Sequence, residues 1–274
     1  MPDHISQWEA DLAVARQIAE GAGDIIKSYW GQDFSIEHKG VVDLVSEVDL
    51  AAEAYLLQQL AQRRPKDLIM AEESAHDSDY IQKHLQTDAA RIWCIDPLDG
   101  TTNFSHGFPH FCVSIALLEG GLPKVGVIHD PIKAFTFYAI KGQGAYLNGK
   151  RLQVSQQEQL ERALLATGFP YDRHTSEHDN VQQARAFLKR CQGLRRAGAA
   201  ALDLAYVAAG WLDGYWEYKL KPWDIAAGAL MVEEAGGIIS DTDHRQDYLA
   251  QGTMVSAASQ ELHNAMLHCL RELS

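Results

Sequence analysis

Two carboxylates stand three residues apart at the end of an apolar run in "WCIDPLDGTTNF", Trp93 to Phe104. Pro97 pushes the residue before it away from helical backbone, so Asp96 is expected to close the strand "RIWCI" and the chain to turn through Pro97 and Leu98. Such a turn would bring both carboxylates and the Leu98 carbonyl towards one point. A donor set made only of oxygen suits Mg²⁺ rather than Zn²⁺. Gly100 lets backbone approach a ligand closely, and "TTNF" reads as a helix start whose exposed N–H groups favour a phosphate. The competing reading is an Asp-rich surface turn with a threonine cap.

Acids recur at the ends of other apolar segments. Glu72 and Glu73 close "DLIMA", and Asp224 lies between Trp223 and a small-residue helix start in "KPWDIAAG". Each also has a structural reading: a solvated strand end for the glutamates, and a helix N-cap for Asp224. Asp49 closes "SEVD", which matches a capping box at the start of a helix. Two histidine pairs with metal-like spacing carry less weight. His106 and His110 in "HGFPH" are separated by Gly107 and Pro109, which oppose a helix, and "HTSEH" at 174–178 is polar and loop-like. Both pairs are expected at the surface.

The elements that must position these acids follow from periodicity. "ISQWEADLAVARQIAEGAGDIIKSYW" has helical spacing from Ile5 to Trp30, and a second helix is expected from about Ser46 to Arg64, stopped by Pro65. "FSIEHKGVVDLVS" reads as a short extended piece. From "DLIMAEES" to Arg151 the chain is rich in strands, largely antiparallel, with "NG" at 148–149 marking a tight hairpin. Beyond it, strands such as "RALLATG" and "DGYWEY" alternate with helices such as "ALDLAYVAAGWL" and "PWDIAAGALMVEEAG". The change of pattern predicts one domain over 1–274, with an α+β subdomain over about 1–151 packed on an α/β subdomain over 152–274.

A net charge of −13 argues against nonspecific nucleic-acid binding, although a local basic patch at Arg195–Arg196 remains open. No apolar run reaches membrane-span length and the first residues lack a signal-peptide pattern, so a soluble cytoplasmic protein is expected. The four cysteines (Cys94, Cys112, Cys191, Cys269) show no C-x-x-C spacing, and Cys94 and Cys112 sit in strand-like runs, so buried free thiols are expected.

Taken together, these segments resemble the inositol monophosphatase family. "DPLDGTTNF" is similar to its signature D-P-[IL]-D-G-T-T-N-F, and "WDIAAG" followed by "EEAGG" to its second signature. "DLVSEVD", "AEES" and the hairpin "GQGAYLNG" match further elements in the expected order, so the resemblance runs from about Asp11 to Ser256. "RRAGAAALDLAYVAAG" looks like bacterial members in particular.

The resemblance implies a layered αβαβα sugar-phosphatase fold, hydrolysis of phosphate monoesters, dependence on two or three Mg²⁺ ions, inhibition by Li⁺ and a homodimer. It implies that Glu72, Asp96, Asp99 and Asp224 ligate metal by side chain and Leu98 by its carbonyl. Asp49 and Thr101 would activate the attacking water, and the backbone of Gly100 and Thr101 would hold phosphate. Glu217 falls where the family contacts inositol hydroxyls, and Gly198, Ala199 and Ala200 where backbone meets the sugar; Lys39, Glu73 and Phe108 receive no role. Four carboxylates nearly balance two divalent ions, and without metal some of their pKa values should rise. Inositol 1-phosphate is the expected substrate, with histidinol phosphate, fructose 1,6-bisphosphate and NADP as alternatives sharing the same core. A binding role in RNA or transcription complexes, with incidental phosphatase activity, is the alternative of a different class.

Overall fold

The computed structural model describes residues 2–32, 36–38, 44–74, 85, 91–245 and 247–272. Lys39 and Asp43 lie outside them. Helix α1 (Pro2–Tyr29) packs on α2 (Glu47–Arg63), and a small antiparallel pair, β1 (Ile36–His38) and β2 (Leu44–Ser46), connects them. In α1, Ala15, Ile18, Ala19, Ala22 and Ile26 are buried, the i, i+3, i+4, i+7 stripe of a helix lying on a core. Arg64, just past α2, donates to the buried Asp11 (2.6 Å), which also accepts from Arg91 (2.8 Å), the first residue of a sheet strand.

These two helices cover one face of a seven-stranded sheet. Its strands lie in sequence order: β3 (Leu68–Ala71), β4 (Arg91–Asp99), β5 (Cys112–Glu119), β6 (Leu122–Asp130), β7 (Phe135–Ile140), β8 (Gly144–Leu147) and β9 (Lys150–Arg151). All pairings are antiparallel except β3 with β4. The hairpin at Asn148–Gly149 has positive φ at both residues, as the tight turn required.

Strand alternation sorts side chains to two cores. Trp93, Ile95, Val113, Ile115, Val125 and Val127 face α1 and α2. Ile92, Cys94, Cys112, Ala116 and Ile128 face the opposite way, onto helices α5 (Ala200–Ala208) and α6 (Pro222–Glu234). Those helices form the middle layer, and a five-stranded mixed sheet lies beneath them. Its order is β11 (Gly193–Arg195), β10 (Leu164–Thr167), β12 (Gly214–Glu217), β14 (Met254–Ala257), β13 (Ile238–Ser240). Helices α4 (Val181–Leu188) and α7 (Gln260–Arg271) close its far face through Phe187, Leu262, Met266 and Leu270. The result is the layered αβαβα arrangement, with both sheets buried on two faces, which is why their strands read as nearly continuous apolar runs.

Two local expectations are corrected. The chain does not leave the sheet at Asp96: β4 continues to Asp99, with the ladder interrupted between those two residues. Pro97 has no N–H to give the ladder, and the Leu98 N–H turns to Asp96 Oδ1 instead (2.9 Å), so a bulge stands where a turn was expected. His110 is not on the surface. It is buried beside Tyr206 and Phe108, while His106, His174 and His178 are exposed. Cys94, Cys112 and Cys269 are buried free thiols and Cys191 is half-buried and free. Among the described residues no helix is long and apolar enough to cross a membrane.

Candidate active site

The bulge in β4, the start of the short helix α3 (Thr101–Ser105), the start of α5, the end of β12 and the start of α6 meet at one cavity of about 270 Å³. Glu72, Asp96, Leu98, Asp99, Gly100, Thr101, Gly198, Ala200, Glu217 and Asp224 all line it. Ten positions singled out along 153 residues of sequence therefore converge. Asp49 lies just behind the wall, and Ala199 is buried beneath it as the N-cap residue of α5.

Each acid is placed by its own backbone device. The Glu72 N–H donates to the Ile95 carbonyl (3.1 Å), tying the end of β3 to β4, and the buried Glu53 accepts the Glu73 N–H (2.8 Å). Asp99 reaches across the interlayer space: its Oδ2 accepts the Ala201 N–H at the start of α5 (2.8 Å) and lies 3.7 Å from the Cys112 thiol. Asp224 stands in the first turn of α6, where it accepts the Lys221 N–H (2.8 Å), so it is both a cap and a cavity residue. Ser114 Oγ donates to the Trp223 carbonyl (3.1 Å) and fastens that turn to β5.

Thr101 Oγ1 lies 2.8 Å from Asp49 Oδ1 and 3.0 Å from the Leu98 carbonyl. A hydroxyl has one proton, and the Asp49 carboxyl oxygen is the nearer of the two acceptors. Gly100 precedes α3 with φ +95°, where a Cβ would lie 3.0 Å from the His110 carbonyl, so glycine is required for the chain to turn here.

Several contributors were not singled out in the sequence. Asn103 Nδ2 lies 2.7 Å from the His110 carbonyl and 2.9 Å from the Ala197 carbonyl, joining α3 to the loop before α5. The Tyr215 hydroxyl donates to Glu217 Oε2. Gly168 makes room for that carboxylate, since a Cβ there would lie 2.1 Å from Oε2. Asp203 also lines the cavity, as does Arg196 of the basic pair noted in the sequence. Asn103 stands inside the quoted signature, but Tyr215, Gly168 and Asp203 carry no local signal.

The carboxylates disturb one another. Burial raises Glu72 well above the ordinary carboxylate range, aided by the charges of Asp224 and Glu73, and burial together with Glu72 does the same to Asp96. Burial lifts Asp224 to about 8 against the opposing Lys221 N–H bond, and Asp99 to about 6 against N–H donors of α5. Glu217 rises to about 7 through burial. Among the described residues no group of three or more His, Cys, Asp or Glu side chains is already placed to hold a metal ion. Mg²⁺ does not need one: it binds through one or two carboxylates, water and phosphate, and the all-oxygen donors here fit that habit.

The model of the inositol monophosphatase family matches residues 7–274. The inositol-1-monophosphatase of Synechocystis is 41% identical over 98% of this chain and 90% of its own length. The Nus factor SuhB of Pseudomonas aeruginosa is 44% identical over 89% of this chain and 90% of its own length. Among solved structures, the inositol monophosphatase of Anabaena superposes with a TM-score of 0.85 at 36% identity, covering 96% of each chain. The IMPase of Thermotoga maritima superposes at 0.83 with 32% identity, covering 97% of each chain.

The raised carboxyls make the metal-free stability depend on pH with a definite sign. Groups raised in the fold bind protons that the unfolded chain has lost, so stability falls as pH rises through their folded values. Burial lowers His110 and His263 to about 4 and also lowers His129, which has the opposite effect, but that ends near the ordinary histidine value of about 6.5. Between pH 6.5 and 8.5 the acids are joined near the upper end by the buried Cys94 and Cys112 thiols, which burial also raises and which move stability the same way. In EDTA the melting temperature should fall by several degrees across that window, and excess Mg²⁺ or Asp224→Asn should flatten the fall. A metal-free melting temperature that holds level or climbs would contradict the assignment.

Proposed function

Because the chain belongs to the inositol monophosphatase family, and is thereby a phosphoric monoester hydrolase, we propose that it hydrolyses inositol 1-phosphate to inositol and phosphate with Mg²⁺ as cofactor. The observation that carries this reading is a cavity whose wall holds six carboxylates and three cationic side chains, with Asp96, Asp99 and Asp203 buried and Glu72, Glu217 and Asp224 half-buried. Alone, such a wall would repel a phosphate dianion. It makes chemical sense as a receptor for cations that then attract the ester.

Glu72, Asp96, Asp99, Asp224 and the Leu98 carbonyl would hold two or three Mg²⁺ ions, which supply charge neutralisation and Lewis-acid polarisation when bound. The chain's own residues do the rest. Gly100 and Thr101 offer first-turn N–H groups of α3, which have no intrahelical partner, to the phosphate oxygens. Thr101 donates its proton to Asp49, which leaves its lone pairs to accept a hydrogen bond from the attacking water. As water adds to phosphorus, its proton passes to Thr101 while the Thr101 proton moves to Asp49. The ester P–O bond breaks on the opposite side, and the departing alkoxide is protonated by water in the cavity. Gly198 and Ala200 supply the wall against which the polyol ring rests, and Glu217 accepts from its hydroxyls. The reading carries with it Li⁺ inhibition, a cytoplasmic location and a homodimer.

A second reading gives the same chain a binding role of the kind implied by the name Nus factor that several relatives bear. What favours it is charge segregation. Arg185, Lys189, Arg190, Arg195 and Arg196 are exposed along 185–196, and no acid interrupts 180–202, although the whole chain carries −13. A partner captured through this face should be retained by Asp99→Asn and released by reversing Arg185 and Lys189 to glutamate. Capture that survives the reversal would remove the face from consideration.

Phosphate release tests the first reading. Release from inositol 1-phosphate should require Mg²⁺ and fall by at least about a hundredfold in Asp99→Asn and in Thr101→Ala, as expected when a charge-stabilising or base-relay group is removed. Histidinol phosphate, fructose 1,6-bisphosphate and NADP belong in the same panel. Faster release from one of them would transfer the substrate to that compound and keep the chemistry.

A further inference from the structure

The chemistry above uses five of the six carboxylates on the cavity wall. Asp203, on α5, is left over. It is 2% exposed, yet it lines the cavity, and among the described residues none donates a hydrogen bond to it. Its charged neighbours are Glu217, Asp99 and Arg196. Asp99 is a metal-side acid, so Asp203 lies between that side and Glu217, and it shares the cavity wall with both. A buried carboxyl without a donor is costly, and the cost is recovered when a ligand brings the missing O–H.

Its neighbour is held for the same task. Tyr215 donates to Glu217 Oε2 and so fixes that carboxyl while leaving Oε1 for a ligand. Gly168, with no Cβ, keeps the space around both oxygens clear. Asp203 rides on a helix whose N-terminus is tied to Asp99 through the Ala201 N–H. The two carboxyls are thus set on different elements, β12 and α5, and face the same space. Two carboxyls side by side present several acceptor oxygens with few donors among them, which suits a group that brings hydroxyl protons.

We infer that Asp203 is a specificity-determining residue, which together with Glu217 forms a two-carboxyl receptor for neighbouring hydroxyls of a polyol phosphate. This rests on reading the substrate as a polyol monoester. It assigns to Asp203 the discrimination against esters that lack hydroxyls.

The test compares inositol 1-phosphate with cyclohexyl phosphate, the same ring without hydroxyls, in the Mg²⁺-loaded full chain. The wild type should prefer the inositol ester in kcat/KM. Asp203→Ala should cut that preference by about ten- to hundredfold, mostly through KM, and leave cyclohexyl phosphate within about twofold. Asp203→Asn, which keeps the shape and one acceptor, should fall between them. It also serves if the alanine variant does not fold. Equal losses on both esters would mean a structural role and overturn the inference, as would an unchanged preference. A wild type with no preference for the inositol ester would instead overturn the polyol reading beneath it, so the two failures are distinguishable.

Discussion

Like charges confined in a low-dielectric space dominate this molecule. Glu72, Asp96, Asp99 and Asp224 come from three different elements, yet the layers bring them to one cavity where burial raises all four above the carboxylate range, and repulsion adds to it at Glu72, Asp96 and Asp224. Nothing in the packing of the two sheets requires this. The apolar cores are complete without those acids, with Trp93, Phe111, Phe137 and Trp216 buried on either side of the middle layer. The fold therefore supplies the stability that holds the acids together, and the acids make sense through what they attract.

Rigidity around the site comes from contacts that cross layers. The bulge in β4 lets one strand present Asp96, the Leu98 carbonyl and Asp99, and the Leu98 N–H bond to Asp96 keeps it in shape. Asp99 then stitches the seven-stranded sheet to the N-terminus of α5, while Ser114 stitches it to the first turn of α6. Asn103 closes the ring by joining α3 to the loop before α5. A positioning error in any of these would misalign groups from two sheets at once.

Much of this was legible in sequence because the signals were local. Helical stripes in 5–30 and 46–64, strand runs ending in acids, and the "NG" turn all depend on neighbours a few residues apart. Asp96 and Asp99 stood out for the same reason. The bulge was read as a turn because Pro97 signals only that the ladder is interrupted, and not whether the strand resumes. His110 was read as exposed because Gly107 and Pro109 describe its loop, whereas its burial depends on Tyr206, 96 positions later. Asp203 was invisible for a related reason. Within "ALDLAYVAAG" it looks like a solvated helix residue, and only the approach of β12 carrying Glu217 turns it into a buried group facing a cavity.

Proton release on metal binding probes the governing repulsion directly. If the carboxyls are raised because they lack cations, then Mg²⁺ binding at pH 7 must expel the protons they hold. Titration calorimetry in buffers of different ionisation enthalpy reads that number. About one proton or more should leave per chain at pH 7, with fewer at pH 8.5 and in Asp224→Asn. Mg²⁺ binding with no proton release at pH 7, or no binding at all, would contradict the assignment of this cavity as a cation-assembled phosphatase centre.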